Sequence, residues 1–173
     1  MLIPDGRMGY LACASEGGHG NLPIENEREV EFQQFALSRL QGVNYVSWED
    51  VLSGRGVSLV HEFLTDQRLG PEQISAKLQA TPETLHWLAT FYGRMCRNFA
   101  LEVFATGGVY ITGSVAAKNP VLLSCESFRD AFLATRVHRQ TFERIPVYLV
   151  DDDDNGLWGA AYFGVRTLID RLD

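Results

Sequence analysis

The strongest apolar pattern in the chain follows Thr81-Pro82-Glu83, where Leu85, Leu88, Tyr92, Met95, Phe99 and Val103 recur at intervals of three and four. That spacing lays one stripe along a helix. Thr81 as N-cap, Pro82 at the first helical position and Glu83 in the first turn mark its start. The stripe predicts the central core helix, ended at Gly107-Gly108. A second helix is predicted over 27–40, where Val30, Phe32, Phe35, Leu37 and Leu40 fall near helical spacing and acids at the front favour the dipole. Ser47 precedes Trp48-Glu49-Asp50 in capping-box order. A short helix therefore starts there, broken at Gly54-Arg55-Gly56 and resumed over 57–64. Further helices are predicted over 127–134 and 157–172, the last carrying Ala160, Ala161, Phe163, Leu168 and Ile169 on an amphipathic face that closes the chain.

Val109-Tyr110-Ile111-Thr112 and Ile145-Pro146-Val147-Tyr148-Leu149-Val150 read as short buried strands. Strand, helix, strand predicts a right-handed βαβ crossover. At the start of the chain, 8–14 is strand-like. With the Pro4-Asp5-Gly6 turn before it, this segment reads as the second half of a hairpin whose first strand is short. The expected class is α/β, a mixed sheet flanked by helices on both faces, in one domain over 1–173.

Composition narrows the function. A chain of 173 residues, 46% hydrophobic and 21% charged, builds one globular core and is neither disordered nor fibrous. Its net charge of −7 repels phosphate backbones, so nucleic acid is not an expected partner. Cys13, Cys96 and Cys125 form no CxxC pair and are odd in number, which argues against a disulfide framework or a structural zinc site and for reduced thiols in the cytoplasm. No apolar run approaches the roughly 20 residues that span a bilayer, so no membrane partner is expected. Nor does the N-terminus develop an apolar signal region before its turn.

Glu16-Gly17-Gly18-His19 is the most informative tetrapeptide. Two glycines let the backbone turn tightly and aim an acid and an imidazole at one small polar object. A carboxylate accepts from sugar hydroxyls and an imidazole both donates and accepts, so the pair can read adjacent ring hydroxyls; a turn with an incidental histidine is the other reading. Glu49, in the first turn of the Ser47 helix, can face inward or merely complement the dipole. The acidic run 151–154 lacks the alternating spacing of a calcium loop and reads as a solvated turn, so no metal ligands are assigned.

Taken in order, Glu16-Gly17-Gly18-His19, Asn26-Glu27-Arg28-Glu29, Val46-Ser47-Trp48-Glu49-Asp50-Val51-Leu52-Ser53-Gly54-Arg55-Gly56, Gly107-Gly108-Val109-Tyr110-Ile111-Thr112-Gly113, Ile145-Pro146-Val147-Tyr148-Leu149-Val150 and Gly156-Leu157-Trp158-Gly159-Ala160-Ala161 resemble the C-terminal part of bacterial-type glucokinases. The resemblance implies the C-terminal lobe of an actin-like, ribonuclease H-like ATPase. It implies that Glu16, His19 and Glu49 contact glucose, and that Gly113 and Ser114 form the adenosine-side turn, with Ser114 where the family usually has a second glycine. It implies ATP and Mg²⁺ as the phosphoryl donor and its ion, and either a homodimer or a complementing N-terminal lobe as partner. In such kinases the catalytic Asp and the phosphate loop belong to that N-terminal lobe, and neither is found in this sequence. The expectation is therefore a glucokinase lineage whose turnover needs the other lobe, with a non-catalytic glucose-binding module or a relic as alternatives.

Overall fold

The computed structural model describes residues 1–4, 6, 9–152 and 154–169. It opens with β1 (Leu2–Pro4) and β2 (Tyr10–Ala12), paired antiparallel with Ile3 opposite Leu11. The expected hairpin is present; Asp5 of its turn and Met8 of its predicted strand lie outside the described residues. Helices α1 (Glu27–Arg39), α2 (Trp48–Leu52), α3 (Gly54–Thr65), α4 (Pro71–Ser75) and α5 (Pro82–Val103) follow. Then come β3 (Val109–Ile111), four short helices α6 (Ser114–Lys118), α7 (Val121–Ser124), α8 (Glu126–Leu133) and α9 (Arg139–Phe142), β4 (Val147–Leu149) and α10 (Asn155–Ile169). Strands β3 and β4 pair in parallel, with Tyr110 opposite Tyr148, as a strand–helix–strand crossover requires.

Several expectations change in detail. The antiparallel and parallel pairs form two separate two-stranded sheets among the described residues, not one mixed sheet. The interruption after α2 is the single residue Ser53, and α3 already begins at Gly54, because the Ser53 hydroxyl accepts from the Gly56 N–H and caps the new helix. Thr81 stands at the N-cap position of α5 as predicted, but its hydroxyl makes no capping hydrogen bond and donates instead to the Leu78 carbonyl at 3.1 Å. Helix α5 ends at Val103, where Phe104 takes a left-handed conformation (φ 47°), before Gly107-Gly108 is reached. The end predicted for α10 at Leu172 lies outside the described residues, and its Leu157, Trp158, Phe163 and Leu168 are exposed.

Helix α5 is the centre of the molecule. Leu88 and Tyr92 of the predicted stripe are buried, but so are Thr84, Ala89, Phe91, Gly93, Arg94, Cys96 and Ala100 on its other sides, because neighbours cover its middle turns all round. On one side Phe32 of α1 meets the rings of Phe63 of α3 and of Trp87 and Phe91 of α5 at 5.4, 5.6 and 6.0 Å between centroids. On another, α8 lies so close at Gly93 that a Cβ there would collide with the Phe128 carbonyl and come within 2.8 Å of the Ala131 Cβ. Burial pushes the Cys96 thiol up to about 12, so this cysteine is an inert core group.

Charges also enter this core. Arg94 donates to the Glu29 carboxylate at 2.8 Å and lies 3.1 Å from Glu25. Glu29 in turn accepts from the Glu25 N–H and the Asn26 side chain, while Asn26 caps α1 by accepting from the Glu29 N–H at 3.0 Å. Every oxygen of the buried carboxylate is therefore committed, the condition under which a buried pair is tolerated. His61 of α3 is buried with its Nδ1 3.0 Å from the Thr84 hydroxyl and its Nε2 without a partner. Burial, reinforced by the nearby Lys77, holds its pKa below the ordinary value of 6.5.

Two outcomes follow for stability. Ala at position 93 gains about 1 kcal/mol of helix propensity, but the collision with backbone outweighs it, so Gly93→Ala is expected to lose about 2–3 kcal/mol in denaturant titration. His61 binds its proton more readily unfolded than folded, so its contribution is complete above pH 6.5 and is lost as pH falls through the lower folded value. The unfolding midpoint should therefore drop between about pH 7 and about pH 5, and His61→Phe should flatten that part of the curve.

Candidate functional site

The Gly17–His19 turn and the start of α2 are stitched together by backbone. Asn21 bridges Ser47, the Leu22 N–H donates to Val46 at 2.8 Å and the Trp48 N–H donates to Gly20 at 3.2 Å. Leu22, Val46 and Trp48 are buried beneath this junction and anchor both segments to the core. The turn itself is closed by His19 N–H to Glu16 carbonyl at 3.0 Å. The Tyr45 hydroxyl donates to the His19 carbonyl at 3.1 Å and fixes its far end.

The predicted capping box at Ser47 is present. The Asp50 carboxylate accepts from the Ser47 N–H at 3.0 Å and its hydroxyl at 2.8 Å, while the Ser47 hydroxyl accepts from the Asp50 N–H. Arg55, across the Ser53 break, donates to the other Asp50 oxygen at 2.6 Å. Burial resists ionisation of Asp50, but the Ser47 hydrogen bonds and the Arg55 guanidinium outweigh it and hold the carboxyl below its usual range. The α2–α3 corner is equally tight: a Cβ on Gly56 would collide with the Val51 carbonyl. The Tyr92 hydroxyl of α5 donates to the Leu52 carbonyl at 3.4 Å, and burial raises its pKa.

This scaffold brings Glu16, His19 and Glu49 together. The His19 Nε2 is 3.6 Å from Glu16 Oε2 and 3.4 Å from Glu49 Oε2, with side-chain exposures of 59%, 89% and 60% in the order His19, Glu16, Glu49. These separations exceed a good N–H···O bond, so the three groups converge without consuming one another's hydrogen-bonding capacity. A cavity of about 320 Å³, in the size range of small-molecule sites, is walled by His19, Glu49, Tyr45, Ser47, Asp50 and Arg55 together with the 42–44 loop. Glu16 reaches His19 from outside that wall. Tyr45 and Arg55 were not singled out as site residues from the sequence. Arg55 joins the site by pairing with Asp50 across a helix break, a relation that no single-helix spacing reveals.

Gly113 and Ser114 lie elsewhere. Gly113 has φ +111° and ψ 153° between β3 and α6, a conformation that L side chains rarely adopt, although a Cβ there would meet no atom within 4 Å. Ser114 opens α6 and lines a small cleft with Gly54, Pro71, Ser75 and Lys118. Gly54, the first residue of α3, follows closely on Glu49, so the α2–α3 corner runs from the Glu49 cavity to the Ser114 cleft. Among the described residues no group of three or more His, Cys, Asp or Glu is placed to hold a metal ion. Asp152 accepts from the Asp154 N–H at 2.8 Å, so the acidic run makes a turn before α10; Asp153 lies outside the described residues.

A family model described as Glucokinase matches residues 1–167. The chain belongs to the glucokinase family. It is 33% identical over 164 residues to a glucokinase of Neisseria meningitidis, covering 88% of this chain and 49% of that protein. It is 32% identical over 176 residues to that of Chromobacterium violaceum, covering 95% and 50%. The chain thus spans about half the length of the curated relatives it matches. Among solved structures, a glucokinase from an Antarctic psychrotroph superposes with TM-score 0.74 at 24% identity, covering 90% of this chain and 51% of that one. A Balamuthia mandrillaris glucokinase in complex with glucose superposes with TM-score 0.71 at 18% identity, covering 83% and 44%. These likenesses establish the fold: the α/β arrangement of helices around small sheets is that of glucokinases. No described helix is long and apolar enough to cross a membrane.

The Asp50 network gives a stability outcome. Asp50→Asn puts an N–H₂ where one of two committed carboxylate oxygens accepts, and should cost about 1.5–3 kcal/mol at neutral pH. Because the folded pKa is the lower one, this contribution is present above the unfolded value of 3.8 and is lost as pH falls through the folded value. Chemical denaturation of both proteins at neutral and at acid pH should show the difference shrinking in acid.

Proposed function

We propose that this chain is the C-terminal, actin-like lobe of an ATP-dependent glucokinase, which phosphorylates D-glucose to glucose 6-phosphate in the cytoplasm as a step of glycolysis, and that it carries the sugar-reading groups. The observation that supports this most is the approach of Glu16 and Glu49 to one imidazole nitrogen at 3.6 and 3.4 Å, at the edge of a cavity of small-molecule size. Two carboxylates accept from neighbouring ring hydroxyls. Between them the His19 Nε2 donates to, or accepts from, a third. Asp50 shares the cavity wall but is occupied by Ser47 and Arg55, so its work is to hold Glu49 at the helix start.

Adenosine is placed at the Gly113-Ser114 turn, where a backbone without Cβ allows close approach. Mg²⁺ enters with ATP as part of the substrate, on phosphate oxygens and water, since the described residues offer no cage of their own. Transfer of the γ-phosphoryl group to the 6-hydroxyl releases a proton, and the base that takes it is assigned to the N-terminal lobe, as is the phosphate clamp. The partner is thus that lobe, with homodimerisation the further family-like assembly. A second reading, a glucose-binding half-kinase without turnover of its own, is favoured by the engagement of Asp50, which leaves Glu49 as the uncommitted carboxylate of the cavity wall.

His19→Ala should weaken glucose binding about tenfold or more, as expected for a hydrogen bond to or from a charged site. ADP affinity should stay within about twofold. Calorimetric titration of both ligands checks this, and equal weakening of the two with the fold intact would remove His19 from the sugar site.

A further inference from the structure

A cavity of about 550 Å³ opens between α7 and α8 on one side and α9 and β4 on the other. It shares no lining residue with the Glu49 cavity or the Ser114 cleft. Its inner wall is aromatic and buried: the Phe132 ring lies 6.2 Å from that of Phe128, nearly parallel to it, and 5.4 Å from that of Phe142. Leu123, Ile145 and Val147 continue this apolar surface. Most polar groups of the wall are already engaged. Ser124 and Cys125 donate back to the Val121 and Leu122 carbonyls at 3.5 and 3.7 Å. Glu143 accepts from Arg139 at 3.0 Å, and Arg139 also donates to the Leu133 carbonyl at 2.8 Å. Glu126 and Arg129 differ. They stand three positions apart on α8 and so share a helix face, yet among the described residues neither side chain makes a hydrogen bond or an ion pair.

One cation, one anion and an apolar wall on a single cavity call for a ligand with the same three parts. We infer that this cavity binds a free α-amino acid with an apolar side chain. At neutral pH such a molecule carries a carboxylate and an ammonium on the same carbon. The Arg129 guanidinium takes the carboxylate through paired N–H donors, and Glu126 accepts from the ammonium. The side chain lies on the wall of Phe128, Phe132 and Phe142, where apolar area is removed from water. The volume is within the range of small-molecule sites. Charge complementarity decides against simpler ligands. A fatty acid or a phosphate meets Arg129 but brings a second anion to Glu126, an amine brings a second cation to Arg129, and a hexose carries neither charge. The inference stands apart from the sugar and nucleotide roles proposed above, since none of its residues belongs to either site.

The test is calorimetric titration with L-leucine and L-phenylalanine, without glucose or nucleotide, for the unsubstituted chain, E126Q and R129Q. N-acetyl-L-leucine, which lacks the ammonium, and L-leucinamide, which lacks the carboxylate, probe the two charges separately. The expected result is saturable binding of leucine or phenylalanine, weakened about tenfold or more by either substitution. E126Q should leave the affinity for N-acetyl-L-leucine within about twofold, and R129Q that for L-leucinamide, because each probe has already lost the matching contact. Glycine, which has no apolar side chain, should not saturate the site. Overturning results are no saturable binding of either amino acid, affinities indifferent to E126Q or to R129Q, glycine binding as tightly as leucine, or N-acetyl-L-leucine binding as tightly as leucine, which would make the site one for an apolar anion. Both substituted positions are exposed, so thermal unfolding of the variants should match that of the unsubstituted chain and separates lost binding from lost fold.

Discussion

The middle of helix α5, where no residue over 87–101 is exposed, is enclosed on all sides, and what permits that enclosure is the missing side chain at Gly93, where the Phe128 carbonyl of α8 takes the space a Cβ would need. With α8 seated there, α5 presents its other faces to α1 and α3, through the Phe32, Phe63, Trp87 and Phe91 rings and the buried Arg94–Glu29 pair. The same helix reaches the α2–α3 corner through the Tyr92 hydroxyl on the Leu52 carbonyl. Close packing, in which helices approach to backbone contact, is what makes interiors stiff enough to hold a surface site still.

The candidate sugar site inherits its geometry from that corner. Glu49 stands one residue before Asp50, whose carboxylate is fixed by Ser47 and Arg55, and one strand bridge away from the turn that carries His19. The proposed sugar-reading side chains, which stay largely exposed, are thereby set on a buried framework of Leu22, Val46 and Trp48. Preorganisation of this kind lowers the entropy that binding must overcome. The Ser114 cleft begins at Gly54, at the other end of the same corner, so one short stretch of chain serves both candidate sites.

Much of this was legible in the sequence because it rests on local rules. The Ser47–Asp50 capping box, the N-terminal hairpin, α1, α5, β3 and β4 all announce themselves by spacing and turn chemistry, and the Glu-Gly-Gly-His turn announced His19. What stayed hidden depends on partners distant along the chain. Thr81 holds the N-cap position but its hydroxyl finds the Leu78 carbonyl, and the α5 stripe looked one-sided although neighbours far along the chain cover its other faces. Arg55 reads as a loop residue until the α2–α3 corner folds it onto Asp50. The apolar residues of α10 followed helical spacing, yet spacing could not say that they would remain exposed.

The central claim is that Glu16, His19 and Glu49 together hold a hexose. A crystal structure of this chain grown with glucose tests it most directly. The account predicts one sugar against the 42–55 cavity, with ring hydroxyls within hydrogen-bond distance of all three side chains. A glucose molecule seated away from His19, or a cavity without sugar at saturating glucose, would contradict it.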